Sequence, residues 1–397
     1  MNGPLQGIQV LDVSRILSGP FCTMLLADLG AEVVKVEHPG DGDPARHLGP
    51  TVGDDSAYFI SVNRGKKSIT LDLATEEGQG IFRKMVPQFD VLVENFVPGT
   101  MARFGIDYES LKPINPRLVY ASISGFGQDG PDAQRPALDV IVQAMGGIMS
   151  VTGEPGGRPM RPGASLGDST AGTFAALAIV SALFRRETSG RGEYIDLSML
   201  DCQITVMENA FSRYFATGQA PGPIGSRHPA AAPFQAFRAS DGDLVVALLT
   251  DDLEKWHRFC EAVERPDLAD NPRYTDNAGR MRNVDALAKT LDQVFSARPL
   301  DYWLQRLSKA GVPCGPVNDV KKVAENPQIK HRGMLATIPH SSEGAWRVAN
   351  TPFKFAGGKT GPAGPSPKLG ENTRDVLAER LGLSERELDL LRARGVV

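Results

Sequence analysis

The sequence predicts an α/β fold: a large doubly wound, Rossmann-like domain joined to a smaller α+β domain. Three observations predict it. Short apolar β-type runs alternate with helical patterns up to residue 217, the alternation of a parallel sheet with crossover helices. The pattern then changes at a Gly/Pro-rich linker, 218–225, beyond which a hairpin signal and three helices follow. The chain of 397 residues is long enough for two cores. The expected division is 1–217 for the large domain, 218–332 for linkers and the small domain, and 333–397 for a return to the large domain.

The first strand is read over 8–13. A loop from Ser14 to Pro20 leads into a helix stopped by Gly30, and a second strand covers 31–37. This is a compact β-α-β unit. Its first loop lacks G-x-G-x-x-G, so a nicotinamide or flavin dinucleotide is not supported. Ligands of open α/β sheets sit at the carboxyl ends of strands, which puts the Ser14–Ser18 loop and His38 on one rim.

Further strands are read at 68–73, 91–95, 118–124 and 194–197. A helix over 75–86 has Thr75 as its cap and Glu76 and Glu77 in its first turn. A short helix carries Arg103. Helices are expected at 137–149, 169–184 and 199–217. Past the linker, strands 234–239 and 244–249 flank Ser-Asp-Gly-Asp, a hairpin turn. Helices follow at 253–263, 284–295 and 300–310. After a second Pro/Gly linker at 362–367, helices over 372–381 and 384–392 close the chain.

Composition excludes several functions. The formal net charge is −4, so nothing favours nucleic acid or a membrane surface in general, and an anionic ligand must be held by a local cluster. Met1-Asn2-Gly3-Pro4 begins no basic n-region or apolar h-region, and no uninterrupted apolar run reaches the length of a membrane span. The four cysteines are far apart and form no C-x-x-C pair, so disulfides are not expected and the cytoplasm is the default. The six histidines show no ligand spacing, so no metal is expected.

Arg15, His38, Arg46, Arg64, Lys66, Lys67 and Arg103 lie near the predicted rim and together suit a polyphosphate. The alternative is that Arg64, Lys66 and Lys67 are simply solvated. A glycine-rich run ends in Gly163-Ala-Ser-Leu-Gly-Asp168-Ser-Thr-Ala-Gly172, which delivers one carboxylate to the start of an apolar helix. Asp168 is read in two ways, as the helix cap or as a catalytic acid that glycines allow a ligand to approach. Asp139 is open in the same way, between capping its own helix and touching a ligand. His228, between Arg227 and Pro229, is a loop histidine or a site residue.

Several stretches together resemble the class III coenzyme A transferases, the family of formyl-CoA transferase and carnitine CoA transferase (the CaiB/BaiF type). They are 19–37, 63–72, 93–99, 124–127, 143–147, 163–172 and 311–317, so the likeness spans nearly the whole chain. The resemblance implies an interlocked homodimer and no tightly bound cofactor, with acyl-CoA and a small carboxylic acid as substrates. It implies that Asp168 attacks the acyl-CoA thioester, giving an acyl-aspartyl anhydride and then an aspartyl-CoA thioester, without a base because the carboxylate is already ionised. It maps CoA contacts onto Arg15, Leu17, Ser18, His38, Leu71, Ala74, Asn95, Phe96, Val97, Arg103, Leu138 and Asp139.

Departures from the pattern bear on the substrate. Formyl-CoA transferases carry glutamine where this chain has Leu17, arginine where it has His38, and a tetraglycine lid where it has Gly225-Ser-Arg-His-Pro-Ala-Ala-Ala-Pro233. These point away from formyl-CoA and oxalate, and toward succinyl-CoA with small dicarboxylic or hydroxy acids. Two other functions compete. α-Methylacyl-CoA racemases share the fold but carry histidine before the aspartate where this chain has Leu138-Asp139, so a second proton-exchanging group is missing. A CoA-binding module without catalysis would use Asp168 only as a cap.

Overall fold

A computed structural model describes residues 3–340 and 343–397; Met1 and Asn2 of the leader reading lie outside the described residues. The described chain falls into two compact units. One comprises residues up to 149, 161–219 and 327–397, and the other 150–160 and 220–326.

The first unit is built on a six-stranded parallel sheet. Its strands are β1 (Gln9–Asp12), β2 (Glu32–Glu37), β3 (Lys67–Thr70), β4 (Val91–Glu94), β5 (Val119–Ser124) and β6 (Tyr194–Ser198). Their order across the sheet is β3-β2-β1-β4-β5-β6, so the direction of winding reverses between β1 and β4. That reversal is where a doubly wound sheet opens a crevice for a ligand.

Both faces of the sheet are covered, which is why its strands read as continuous apolar runs. Alternate residues feed two cores. Val10, Val33, Val91, Val93, Val119 and Ala121 pack on one side with the helices Ser18–Asp28 and Leu166–Ser189. Leu11, Val34, Leu92 and Tyr120 pack on the other with the helix Glu76–Met85 and the C-terminal helices Thr373–Leu381 and Glu385–Ala393.

Leu166–Ser189 starts earlier and ends later than the expected 169–184, closing at Gly190 in the left-handed conformation (φ 67°). By length and composition alone it is long and apolar enough to cross a membrane. Its apolar residues form no unbroken run, because Gly172, Thr173 and Ser181 interrupt them. In the fold it packs on Ser18–Asp28, and a Cβ at Gly172 would stand 2.6 Å from the Ser18 carbonyl oxygen. Only glycine permits that approach.

Other local readings differ as well. The expected helix over 137–149 is shorter, Asp139–Met145. The expected helix over 199–217 breaks at Met207 into Met199–Val206 and Glu208–Thr217. A helix, Ala57–Asn63, capped by Ser56 on the Phe59 N–H, was not foreseen. Nor was the antiparallel pair Leu335–His340 and Gly344–Ala349.

The second unit holds a three-stranded antiparallel sheet in which Asp243–Ala247 lies between Phe234–Arg238 and Cys314–Pro316. The hairpin follows the sequence reading. The helices Leu253–Ala262, Val284–Phe295 and Leu300–Lys309 close a core of Trp256, Phe259, Phe295 and Trp303. All four cysteines are free.

Candidate active site

The crevice between β1 and β4 is shaped by the two loops that leave these strands. Asn95 latches them together: its Oδ1 accepts the Arg15 N–H at 2.7 Å, and its Nδ2 donates to the Arg15 carbonyl at 2.8 Å and to Ser18 Oγ at 3.2 Å. The Arg15 guanidinium lies over the Phe96 ring, 4.5 Å from its centroid. The Phe96 N–H donates to the buried Glu94 carboxylate at 2.7 Å. Burial pushes Glu94 up to about 7. Ile16 stands at φ 66°, which a β-branched side chain rarely adopts.

Two clefts meet at Arg15 and Phe96. The first, of about 170 Å³, is lined by His38, Leu71 and Ala74. The second, of about 310 Å³, is lined by Leu17, Ser18, Asn95, Val97, Leu138, Asp139 and Asp168. The fold therefore brings together Asp168 and all but one of the CoA-contact residues that the resemblance maps. Arg103 is the exception. It sits on the short exposed helix Thr100–Arg103, donates to Thr100 Oγ1 at 3.2 Å, and is not part of the lining of either cleft.

Asp168 lies in the first turn of Leu166–Ser189 and does not cap it. Asp139 performs that task from the neighbouring helix: its Oδ1 accepts the Gly167 N–H at 2.8 Å. A Cβ at Gly167 would stand 3.0 Å from that same oxygen, so glycine is what lets the two segments close up. Asp139 also accepts from Gln143 Nε2 at 2.8 and 2.9 Å and from Arg161 Nη2 at 2.7 Å. It neither caps its own helix nor presents a free carboxylate. Asp168, by contrast, accepts no hydrogen bond from the described residues.

The surroundings of Asp168 correct one expectation. Burial and the charge of Asp139 push its pKa up to about 7, against the opposing pull of Arg161. Near neutral pH its carboxyl is divided between the two forms rather than fully ionised. Tyr58, on the unforeseen helix, reports the same field, since burial and the charges of Asp168 and Asp139 raise its phenol to about 12. Sequence reading missed both Tyr58 and Arg161, because neither belongs to a pattern that marks a site.

The basic cluster also needs correcting. Arg46 pairs with Glu37 at 2.6 Å, Arg64 with Asp28 at 2.7 Å, Lys66 with Asp12 at 2.9 Å and Lys67 with Glu32 at 3.0 Å. Three of the carboxylates, Asp28, Asp12 and Glu32, lie 35 to 54 residues away and Glu37 only nine, and Lys66 and Asp12 are fully buried. Arg46, Arg64 and Lys66 are committed internally, whereas Lys67 pairs with Glu32 at the surface; none of the four lines either cleft. Arg15 and His38 are the basic groups that line the first cleft on its solvent side. In the second unit the His228 ring stacks on Phe234 at 4.6 Å and its Nδ1 accepts the Ala230 N–H at 3.1 Å. Among the described residues no group of His, Cys, Asp and Glu converges to hold a metal.

An unpartnered carboxylate with a raised pKa, at a helix N-terminus beside a cleft, can act as a nucleophile once ionised. The positive end of the helix dipole favours negative charge at that place. Comparison with known proteins narrows this chemistry. The description of CoA-transferase family III matches residues 5–373. An acetyl-CoA:oxalate CoA-transferase of Acetobacter aceti is 47% identical over 357 residues, covering 90% of this chain and 90% of that protein. The succinyl-CoA:glutarate CoA-transferase of Homo sapiens is 37% identical over 395 residues, covering 99% of this chain and 90% of the human protein. The crystal structure of a CaiB/BaiF family protein from Brucella suis superposes with a TM-score of 0.86 at 39% identity, covering 96% of this chain and 100% of that one.

Proposed function

The chain belongs to CoA-transferase family III, and on that premise we propose that Asp168 carries the transferred groups as covalent intermediates. The enzyme moves CoA from an acyl-CoA donor to a small carboxylic acid. The observation that carries the covalent reading is the unpartnered Asp168 carboxylate in the cleft beneath the Arg15–Ser18 loop.

The ionised carboxylate attacks the thioester carbonyl, and the C–S bond breaks to release CoA thiolate and leave an acyl-aspartyl anhydride. The thiolate then attacks the aspartyl carbonyl, releasing the donor acid and forming an aspartyl-CoA thioester. The acceptor carboxylate repeats the sequence in reverse, and Asp168 is regenerated. Each step exchanges one acyl bond for another, so one hard transfer is divided into easier ones. The first cleft, with Arg15 and His38, suits the nucleotide end of CoA, and the second suits its thioester end.

Succinyl-CoA and a dicarboxylic acid are the substrates this reading favours, in line with the human relative. A relative of 47% identity is named for oxalate, so oxalate stands beside the larger dicarboxylic acids as a candidate acceptor. A racemase is not favoured, since Leu138, exposed in the cleft, brings no proton-exchanging group. The working form is read as a homodimer, which accounts for the solvent-facing Leu177 (61% exposed), Phe184 (81%) and Phe215 (76%). Four unpaired thiols fit a reducing, cytoplasmic setting.

Incubation with succinyl-CoA followed by a hydroxylamine quench tests the reading. A hydroxamate on Asp168, absent from Asp168→Ala, is expected in the peptide mass. An unmodified Asp168 in an enzyme that still transfers CoA would overturn it.

A further inference from the structure

The cleft must do more than bind CoA if its acids carry two carboxylates. While one end reacts at Asp168, the other end is a full negative charge that needs a partner. The second cleft is lined by two cations. Arg15 lies over Phe96 at the junction with the first cleft, and Arg135 is held by Asp132 at 3.2 Å at the rim. A third cation, Arg161, is outside the lining of both clefts but is fixed on Asp139, which lines the second.

Arg161 is held as a positioned group rather than a loose one. Its Nε and Nη2 donate to Asp139 Oδ2 at 3.1 and 2.7 Å, and Nη2 also donates to Ser165 Oγ at 3.1 Å. Asp139 is itself pinned by Gln143 and by the Gly167 N–H. Two of the three guanidinium nitrogens are thereby committed. Nη1 donates to no described residue, and the side chain stays 40% exposed. A guanidinium fixed along one edge presents its remaining donors in a set direction, which suits a carboxylate.

We propose that Arg161 holds the free carboxylate of the dicarboxylic donor or acceptor while its other end reacts at Asp168. The inference rests on the CoA-transfer reading above and names the residue that selects its substrates. Geometry supports it: a succinyl group places its two carbonyl carbons only about 4 Å apart, and Arg161 is tied through Asp139 to the first turn that bears Asp168. Electrostatics supports it independently, since Arg161 is the cation whose charge pulls the Asp168 pKa down. Once Asp168 is acylated it carries no charge, and the distal carboxylate then meets Arg161 without that repulsion.

The test is a ratio. The value of kcat/KM for succinyl-CoA is divided by that for butyryl-CoA, which has a methyl group in place of the distal carboxylate. Effects on Asp168 itself cancel in this quotient. Arg161→Gln is expected to lower the ratio by about tenfold or more, mainly through KM for succinyl-CoA. Arg161→Lys, which keeps the charge but not the fork, is expected to retain part of the preference. A ratio unchanged in Arg161→Gln, with the parent enzyme active, overturns the inference alone and leaves Arg161 as a support for Asp139. A parent enzyme that transfers CoA from neither thioester overturns the transfer reading, and this inference with it.

Discussion

The Asp43 carboxylate accepts the Ile16 N–H, at 3.0 Å through Oδ1 and 3.3 Å through Oδ2, and so holds Ile16 at its positive φ. The same carboxylate pairs with the fully buried Lys35 at 2.9 Å, and Lys35 donates to the Ser14 carbonyl at 2.6 Å. Two buried charges beneath the crevice thus set the path of the Arg15–Ser18 loop above it.

Asp43→Ala is expected to remove both functions. Stability should fall by about 3–5 kcal/mol, because Lys35 loses its partner at 2.9 Å in the interior, and KM for acyl-CoA should rise. Asp43→Asn keeps an oxygen for the Ile16 N–H while removing the ion pair, so it should lose stability with a smaller change in KM. Urea midpoints and steady-state kinetics on the two variants separate the effects. An unchanged KM in Asp43→Ala would show that neighbours other than Asp43 set the loop.

Much of the fold was legible because its signals are local. The β1, β2, β4 and β5 runs are apolar on both faces, and Thr75 announces its helix by accepting the Gly78 N–H at 3.0 Å. What escaped depends on partners distant in sequence. Nothing near Lys66 or Arg64 says that Asp12 and Asp28, 54 and 36 residues away, will take up their charge. The pair Leu335–His340 and Gly344–Ala349 contains Pro339 and His340, which blur a strand pattern. The break at Met207 has no glycine or proline to mark it. Asp168 itself was found by its motif, but its raised pKa comes from burial in the folded chain and from the charge of Asp139, 29 residues earlier on another helix.

That coupling gives a pH prediction. The nucleophile must be ionised, so kcat/KM for acyl-CoA should rise with pH along a limb centred near the Asp168 value of about 7. Asp139→Asn removes the like charge and frees Arg161 to act on Asp168. Both changes favour the carboxylate, so the limb should move to lower pH, by about one unit. A shift toward alkaline pH, or none, would mean that Asp139 does not set the ionisation of Asp168.

Stability should follow the same group in the opposite sense. The folded-state pKa of Asp168 is raised above the ordinary 3.8, so its neutral form is the one the fold favours. That contribution is present at acid pH and is lost as pH rises through about 7. Asp168→Asn should therefore melt above the parent at pH 8 and close to it at pH 4. Equal melting differences at both values would place the carboxyl in a more solvated setting than its burial indicates.

Asp12 predicts the acid side. Burial would raise its pKa, but Lys66 and Lys35, with hydrogen bonds from Ser14 and Thr23, hold it far below the ordinary carboxylate range. A depressed folded pKa contributes stability above the unfolded value near 4 that is lost as pH falls below it. Asp12→Ala should cost about 3–5 kcal/mol at pH 7, since it leaves Lys66 buried beside no carboxylate. The cost should shrink toward pH 3. A constant difference across that window would assign the loss to packing instead of charge.

Glu94 offers the cleanest separation of charge from shape. It is 4% exposed, accepts the Phe96 N–H, and burial lifts its pKa from 4.5 to about 7. Its stabilising form is the protonated one, so its contribution is complete below pH 4.5 and is lost as pH rises through about 7. Glu94→Gln preserves the shape and an acceptor for Phe96 while abolishing the charge. Chemical denaturation should find the variant equal to the parent at pH 5 and more stable at pH 9, by on the order of 2–3 kcal/mol. KM for acyl-CoA should stay near the parent value at both, because the loop that carries Phe96 keeps its anchor. A variant less stable at pH 9 would instead mean that the ionised Glu94 is held by its neighbours Ser122 and Phe96 well enough to outweigh its burial.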